Sequence, residues 1–550
     1  MPADPASLPI DYSALRALVV DDYQGMRNAL RLTLSNFGIV KVQAVANAAE
    51  ALFQIRNKSY DFILCDFNLG EGRDGQQLLE ELRHGHLIPL ESVFMMVTAE
   101  SFYEKVVATA ELAPDDYLIK PFSAELLRSR LESILLRKRA FGEAYRHFAA
   151  QNLEAAIEAC DALIKAHPKY VVDALRFKGE LLVTLGRFEE AEALYKQVIE
   201  MRAIPWARLG LARALHMQQK DDAAETELRD VLERAPEMVS AYDLLSDVCV
   251  AKKDTAGAQD ALQRGVAISS RTVRRQQKLG ELAYANGDLG TARTAYAAAI
   301  DKGRHSIFVT PDDYGNLCRV QAEQGDFKAV TDTLKQNRNV LQSSPEGRLV
   351  AAVTQSIMHT QAGRQSEAAR AIDEAATLRA EGARGDPRLM LDLAGACMAG
   401  GRNDEADSIV ADVARNAHDS ESLLAKARKL YEEAGRADAG ASVLSSATAD
   451  VRRLNNEGVV LAQKGDFRTA AEKLLVACEA APYNPRIAMN AVWVILKHID
   501  KSGMDEPMIE SAHQYLTAAE RQAPGHPRLA GLRRSLKEIE QRYGIRRQSA

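Results

Sequence analysis

Polar side chains that could do chemistry stand at the ends of short apolar runs in the first 120 residues. Asp21 and Asp22 follow "LRALVV", Asp66 ends "DFILCD", Thr98 ends "SVFMMVT" and Lys120 ends "DYLIK". Clustered carboxylates are costly unless a hard cation neutralises them, and an oxygen-lined site suits Mg²⁺. An aspartate beside such an ion can act as a nucleophile, and a lysine and a threonine can hold the transferred phosphoryl group. The residue types therefore predict phosphoryl chemistry.

Strand-like and helical segments alternate over residues 15–138, and these elements must position the polar residues. Five continuous apolar runs, each followed by a helical segment, indicate a parallel sheet covered on both faces. In an open parallel sheet the carboxyl ends of the strands form the ligand crevice, so the polar residues would meet there. We therefore expect an α/β doubly wound fold with a five-stranded parallel sheet over 15–138, including a helix over 101–112. Residues 1–14 are expected to form an N-terminal extension.

From residue 139 the strand signals vanish and a repeat begins. The segments 186–195, 287–296, 363–372, 401–410 and 465–474 align without gaps, each with a glycine, an alanine five residues later and a large apolar residue four further on. A period near 34 residues holding two short helices resembles the tetratricopeptide repeat. We expect about ten repeats, some degenerate, forming an all-α solenoid over 139–525. A capping helix and a basic tail are expected over 526–550.

Composition excludes several classes of protein. The chain has 550 residues and a net charge of −6, which gives no general drive towards nucleic acid or an anionic membrane. Its apolar runs are too short to span a bilayer, and residues 1–12 lack a secretory signal, so we expect a cytoplasmic protein. The six cysteines are scattered without a CxxC pair, which favours buried reduced thiols over a disulfide framework or a zinc site.

The first region resembles the receiver domain of response regulators, of the chemotaxis type and of flavodoxin-like fold. The motifs "VVDD", "ILCD", "VTA" and "LIKPF" carry the resemblance, which covers residues 15–138. It implies that Asp66 accepts a phosphoryl group from a sensor histidine kinase. The resemblance also implies that Mg²⁺ is bound by Asp21, Asp22, Asp66 and the backbone carbonyl of Asn68. Lys120 and Thr98 would contact the phosphoryl group, and Thr98 and Tyr117 would act as the switch. Asn68 and Glu100 would tune the lifetime of the phosphoryl group.

One departure from the family lies in the loop after the acceptor. Receivers commonly have a proline four residues after the acceptor, whereas this chain has Gly70. The segment from Asp66 to Asp74 and Gly75 is also one residue longer than is usual in receivers. No catalytic residue is lost, but the loop is expected to be more mobile or to serve a particular partner.

The resemblance to tetratricopeptide repeats implies a scaffold whose concave groove binds an unidentified protein partner. Asn316, Asn456 and Asn490 fall two positions before the small-residue site of their repeats. In long superhelical members of that family, asparagines there bond peptide backbone. The alternative is that these are ordinary solvated polar positions on the helices.

We therefore expect a two-component response regulator whose output is protein–protein interaction through the repeats. The sequence has no P-loop, GxGxxG or HExxH pattern, and no helix-turn-helix pattern outside the repeats. No DNA-binding or enzymatic output is therefore expected beyond the receiver's own phosphoryl transfer and dephosphorylation. The alternative is a constitutive scaffold or phosphoryl sink that competes for kinase output. A Mg²⁺ phosphohydrolase is disfavoured, because such enzymes of similar fold carry Asp-x-Asp after the first strand. Whether one helix runs through residue 140 or a break occurs there stays open.

Overall fold

The computed structural model describes residues 10–70, 72–85, 87–99, 114–150, 152–202, 204–270, 272–523 and 527–545. Two expectations lie wholly outside these residues, namely the helix over 101–112 and the lifetime role of Glu100. The expected N-terminal extension and the basic tail lie partly outside them, at residues 1–9 and 546–550. The chain divides into two compact units, one ending at Thr310 and the other beginning at Pro311.

The first unit begins with a parallel sheet whose strands, in the described residues, are ordered β2-β1-β3-β4-β5. They are β1 (Arg16–Val20), β2 (Lys41–Val45), β3 (Phe62–Asp66), β4 (Val93–Thr98) and β5 (Asp116–Ile119). Since β2 lies on one side of β1 and β3 on the other, the topology switches beside β1, where ligands bind in such sheets. The predicted doubly wound parallel sheet is confirmed.

Helices cover both faces of this sheet. In the described residues they are α1 (Gln24–Asn36), α2 (Ala48–Asn57), α3 (Gly75–His84) and α4 (Ala124–Ala149). Because side chains alternate along a strand, Cys65 packs with α2 and α3 while its neighbour Leu64 packs with α1 and α4. Gly38, with a φ of +97°, follows α1 in the left-handed conformation expected of a helix-ending glycine.

α4 connects the sheet to the repeats as a single helix of 26 residues. Leu131 and Ile134, in its first half, are buried against the sheet. Phe141 and Ala144, in its second half, are buried against the helices that follow. The helix is therefore continuous through residue 140, and the expected boundary between residues 138 and 139 falls inside it.

Paired helices make up the rest of the first unit. They are α5 (Leu153–Ala166), α6 (Val171–Thr184), α7 (Phe188–Met201), α8 (Pro205–Met217), α9 (Asp221–Arg234), α10 (Val239–Ala251), α11 (Thr255–Ile268), α12 (Val273–Ala285) and α13 (Leu289–Lys302), with a 3₁₀ turn at Pro168–Tyr170.

The glycines of the repeat pattern have the two roles that their spacing predicts. Gly186 has a φ of +78° and separates α6 from α7, a conformation that favours glycine. Gly179 lies in α6 against Tyr195 of α7, and a Cβ there would lie 2.5 Å from the tyrosine hydroxyl oxygen. The small residue of the first helix thus makes room for the large residue of the second.

Degenerate repeats reach the same turn without glycine. Gln219 and Lys253 follow α8 and α10 with φ values of 63° and 64°. A non-glycine residue in this conformation costs about 1 kcal/mol or more, so the surrounding repeat must hold it there. Because Gln219 and Lys253 stand where other repeats have glycine, the glycine pattern is weak in these two repeats.

The second unit is also helical. Its described helices are α14 (Pro311–Glu323), α15 (Phe327–Gln336), α16 (Arg338–Gln342), α17 (Pro345–Gln361), α18 (Gln365–Ala380), α19 (Pro387–Ala399), α20 (Asn403–Asn416), α21 (Glu421–Glu433), α22 (Ala437–Gln463), α23 (Phe467–Ala480), α24 (Pro485–Ser502), α25 (Glu506–Gln522) and α26 (Pro527–Tyr543). α22 spans 27 residues and contains no helix-ending glycine or proline between Gly440 and Gly458. It joins two helices that the repeat pattern would keep apart.

Two expectations about the chain as a whole can be compared with this structure. All six cysteines are free and buried, as predicted. Of the helices in the described ranges, not one is both long enough and apolar enough to cross a lipid bilayer.

Candidate functional site

The carboxyl ends of β3, β4 and β5 are held side by side. Asp66 at the end of β3 pairs with Val97, and Thr98 at the end of β4 pairs with Ile119. The Lys120 N–H donates to the Thr98 carbonyl at 2.7 Å, which fixes the residue after β5 against β4. The polar residues that the sequence places after separate strands therefore meet at one edge of the sheet.

Lys120 is the central cation of this edge. Its Nζ lies 3.0 Å from Oδ2 of Asp21 and 3.0 Å from Oδ2 of Asp66. Burial opposes the charge, but the hydrogen bonds to Asp66 and Asp21 raise the pKa of Lys120 above its usual value. The ammonium is therefore charged at neutral pH and joins the carboxylates that follow β1 and end β3.

Asp21, Asp22 and Asp66 form an acidic cluster in which one carboxylate oxygen from each lies within 4.8 Å of the others. Arg27 approaches from α1, where its Nη1 donates to the backbone carbonyls of Asp21 and Asp22 at 2.7 and 2.9 Å. Together with Lys120, this gives two cations against three carboxylates, so the cluster keeps a net negative charge. An all-oxygen donor set with excess negative charge fits a hard divalent cation such as Mg²⁺.

Asp66 lies at the boundary between the core and solvent, with 11% of its side chain exposed. Burial raises the pKa of its carboxyl, while the hydrogen bond from Lys120 acts in the opposite direction. The neighbouring Cys65 thiol donates to the Asp66 carbonyl at 3.2 Å. Burial raises the pKa of Cys65 well above its usual value, so this thiol is no competing nucleophile.

The start of α3 is packed directly against Asp66. A Cβ on Gly75 would lie 2.3 Å from the Asp66 carbonyl oxygen, so no larger residue fits without moving the backbone. Asp74 and Gln77 form a capping box, in which the Gln77 N–H donates to the Asp74 carboxylate at 2.8 Å and the Asp74 N–H donates to Gln77 Oε1 at 3.2 Å. The first turn of α3 is thus fixed relative to the acidic cluster.

The loop between Asp66 and α3 contains glycines in the left-handed region of backbone conformation. Gly70, at the position where receivers commonly have proline, has a φ of +72°, which the ring of proline forbids. A Cβ on Gly70 would lie 3.3 Å from Oδ2 of Asp22. Gly72 has a φ of +107°. Asn68 is exposed in the same loop, and the metal ligation expected of its carbonyl stays a prediction.

The two expected switch residues lie where the strand order places them. Thr98 is 5% exposed at the end of β4. Tyr117 of β5 is half-buried and packs against the core between the sheet, α2 and α3. Glu100, expected to tune the phosphoryl lifetime, lies outside the described residues.

The three candidate groove asparagines lie on helices of the second unit. Asn316 of α14 accepts a hydrogen bond from Arg319 at 2.7 Å. Asn490 of α24 donates to Asn455 at 3.1 Å and accepts from Arg528 at 3.1 Å. Asn456 is exposed on α22. Their role in binding a peptide stays a prediction.

Sequence reasoning missed a buried lysine where the sheet meets α4. Lys138 is 5% exposed, and its Nζ donates to the carbonyls of Leu90 and Ser92 at 2.6 and 2.7 Å and lies 2.8 Å from Oδ1 of Asp115. Burial lowers the pKa of Lys138 to about 8. Lys138 lies four residues after Ile134, on the apolar side of α4, and this position is the sequence signal that indicates its burial.

Comparisons with known proteins agree with this arrangement. A family model of the response regulator receiver domain matches residues 17–132. Two tetratricopeptide repeat models match residues 141–205 and 182–248. The chemotaxis protein CheY-3 of Vibrio cholerae serotype O1 is 30% identical over 129 residues, which are 22% of this chain and 93% of that protein. The chemotaxis protein CheY of Pseudomonas aeruginosa is 28% identical over 123 residues, which are 22% of this chain and 98% of that protein.

A solved structure, the receiver domain of the Francisella response regulator 1452, is 28% identical to this chain. The match covers 22% of this chain and 98% of that one, with a TM-score of 0.21. The family model and the similarity to the Vibrio cholerae protein cover the sheet and its acidic cluster, and the repeat models begin within α4. The chain therefore belongs to the response regulator receiver family and carries tetratricopeptide repeats after its receiver domain.

Proposed function

We propose that this chain is a cytoplasmic two-component response regulator that accepts a phosphoryl group on Asp66 from a sensor histidine kinase and signals through its repeats. The observation that carries the proposal is the position of Lys120, whose Nζ lies 3.0 Å from both Asp21 and Asp66. A charged lysine held there can neutralise a phosphoryl group on Asp66 without a large rearrangement of the site.

In the proposed reaction, an Asp66 carboxylate oxygen attacks the phosphorus of a phosphohistidine. The phosphorus–nitrogen bond breaks as the phosphorus–oxygen bond forms, and the imidazole leaves. Asp21, Asp22, Asp66 and the Asn68 carbonyl would hold Mg²⁺, which when bound supplies positive charge next to the phosphoryl oxygens.

Other residues hold and sense the phosphoryl group in this proposal. Lys120 pairs with one phosphoryl oxygen, and the Thr98 hydroxyl donates a hydrogen bond to another. The inward-facing Tyr117 responds to the movement of Thr98. Asn68 and Glu100 tune how long the acyl phosphate lasts by limiting the access of water to it.

Labelling with a small phosphoryl donor tests the acceptor. The full chain would be incubated with Mg²⁺ and radiolabelled acetyl phosphate, and we expect label that hydroxylamine removes, as an acyl phosphate requires. Asp66→Asn should abolish it. Asp61→Asn is the matched control, because Asp61 precedes the same strand at its opposite end and accepts the Arg16 N–H there. Equal labelling of the Asp66→Asn protein would refute the assignment.

The proposed output is a protein partner bound by the repeats, with no DNA-binding or catalytic step. The full chain would serve as bait with and without beryllofluoride, a phosphoryl mimic, and captured proteins would be quantified. We expect capture to differ between the two conditions, whereas equal capture favours the phosphoryl sink.

Replacing Asn456 and Asn490 together with alanine should lower partner affinity. Unchanged affinity in a folded double variant would show that these asparagines do not bind the partner.

A further inference from the structure

The receiver domain contacts the repeats at a second place, remote in sequence from α4. There, the turn of residues 302–308 at the end of α13 lies against α3 and the loop before it. The contacts are a hydrogen bond from Arg73 Nε to the His305 carbonyl at 2.9 Å, one from Gln77 Nε2 to the Lys302 carbonyl at 3.1 Å, and an edge-to-face contact of His84 with Phe308 at a centroid distance of 5.2 Å. One side of α3 is therefore in contact along its length.

Three polar residues of α3 are deeply buried. Gln76, Glu80 and Glu81 are 3%, 7% and 8% exposed. Glutamates and glutamines are mostly exposed on the outer helices of a domain, so polar residues this deeply buried need partners. Glu81 lies 3.3 Å from Nε of Arg73, the same residue that reaches the turn.

The turn is firmly attached to the repeats. Gln277 of α12 donates to the Phe308 carbonyl at 2.9 Å. The Arg274 guanidinium lies 4.2 Å from the centre of the Phe308 ring. A Cβ on Gly303 would lie 2.7 Å from Cγ2 of Val273 in α12, so the start of the turn is packed closely against that helix. Residues 302–308 therefore contact both α12 of the repeats and α3 of the receiver domain.

The same contact is linked to the acceptor through one side chain. Gln77 caps α3 with its Oε1 and reaches the Lys302 carbonyl with its Nε2. Gly75, two residues earlier, is packed against the Asp66 carbonyl. The loop between Asp66 and Gly75 contains Gly70 and Gly72, which have positive φ values. Because glycine lacks a Cβ, these two residues can also adopt other backbone conformations at little steric cost. A rearrangement of this loop around a phosphoryl group would displace the residues that hold the turn.

We propose that α3 and Arg73 before it form a docking surface for residues 302–308 of the same chain, and that phosphorylation of Asp66 releases this contact. The inference rests on the proposed function of Asp66. Since coupling between two sites is reciprocal, the docked turn weakens binding of a phosphoryl group, and loss of the contact strengthens that binding by the same factor.

Hydrogen exchange of the full chain tests the release. Exchange of residues 72–85 and 302–308 would be measured in Mg²⁺ alone and in Mg²⁺ with beryllofluoride, whose binding would be measured by calorimetry. We expect faster exchange of residues 302–308 when beryllofluoride is bound. Binding without any change there would overturn the inference and leave the proposed function standing. No binding would overturn both.

Variants test the reciprocal effect. His84→Ala, at the exposed end of α3, and Phe308→Ala each remove the ring contact, which should tighten beryllofluoride binding by about three- to tenfold. The double variant should gain no more than Phe308→Ala alone, because that variant has already lost the contact with His84. Phe53→Ala is the matched control, an aromatic residue of α2 that is 67% exposed, and its affinity should not change. Unchanged affinity in His84→Ala and Phe308→Ala would overturn the proposal.

Discussion

Replacing Lys138 with methionine should destabilise the receiver domain, and the loss should grow with pH. The methionine would fill much of the same space but would leave the carbonyls of Leu90 and Ser92 without their donor. Removing one partner of a buried ion pair costs about 3–5 kcal/mol. Arg83 and Arg137 still face Asp115, at 3.6 and 3.8 Å, so we expect the lower value, about 3 kcal/mol at pH 7.

The pH dependence follows from the lowered pKa of Lys138. In the folded protein this pKa is about 8 because of burial, compared with an ordinary value of 10.5. Between these two pH values the unfolded chain binds more protons than the folded one, so the stability that Lys138 contributes rises with pH. The rise is about 3 kcal/mol across that interval. The variant lacks this rise, and its deficit in the free energy of unfolding should therefore roughly double by pH 10.5.

Urea titrations at several pH values would measure this deficit. Cys65 is 0% exposed in the sheet, so its labelling in a short thiol-reagent pulse, at one common pulse pH, reports unfolding of the receiver domain alone. Arg137→Met is the matched control on the same helix. Its side chain is 35% exposed, and its loss should cost no more than about 1 kcal/mol at any pH. A deficit for Lys138→Met that stays constant or shrinks between pH 8 and 10.5 would refute the reasoning.

Three further substitutions test the packing and the charge of the site. Gly75→Ala would place a Cβ 2.3 Å from the Asp66 carbonyl oxygen, so acetyl phosphate labelling should fall at least tenfold, and normal labelling would contradict the close packing. Gly142→Ala, in an open part of α4, should raise the free energy of unfolding by about 0.5–1 kcal/mol in a urea titration followed by circular dichroism, and destabilisation would contradict the open surroundings. Asp21→Asn removes one carboxylate of the acidic cluster and should weaken Mg²⁺ binding at least tenfold by calorimetry, whereas unchanged affinity would place the ion elsewhere.

The sheet and the acidic cluster could be predicted because local patterns fix them. Apolar runs separated by helices determine a parallel sheet, and the residue after each strand must then lie at the same edge. The left-handed turns at Gly186 and its equivalents were also predictable, because few other residues adopt them. Gln219 and Lys253 occupy the same conformation without the local signal, so their repeats look degenerate in the sequence.

The contact of α3 with residues 302–308 could not be predicted from the sequence. It depends on the summed rotation of every helix pair between α4 and α13, and a small change in each pair moves the turn by a large distance. Arg73 and His84 look like ordinary surface residues in the sequence, and both hydrogen-bond acceptors in the turn are backbone carbonyls. Lys138 was missed for a different reason, because its partners come from the loop before β4 and the residue before β5.

The length of the unbroken helix α4 also determines how the repeats that follow it are rotated about its axis. An α-helix turns by about 100° and rises about 1.5 Å with each residue. One residue inserted into α4 would therefore rotate all the repeats that follow by more than a quarter-turn about its axis, and it would carry residues 302–308 away from α3. Seven inserted residues would nearly restore the angle but would move the repeats about 10 Å along the axis. The number of residues in α4 is thus as much a determinant of the contact as the residues that touch.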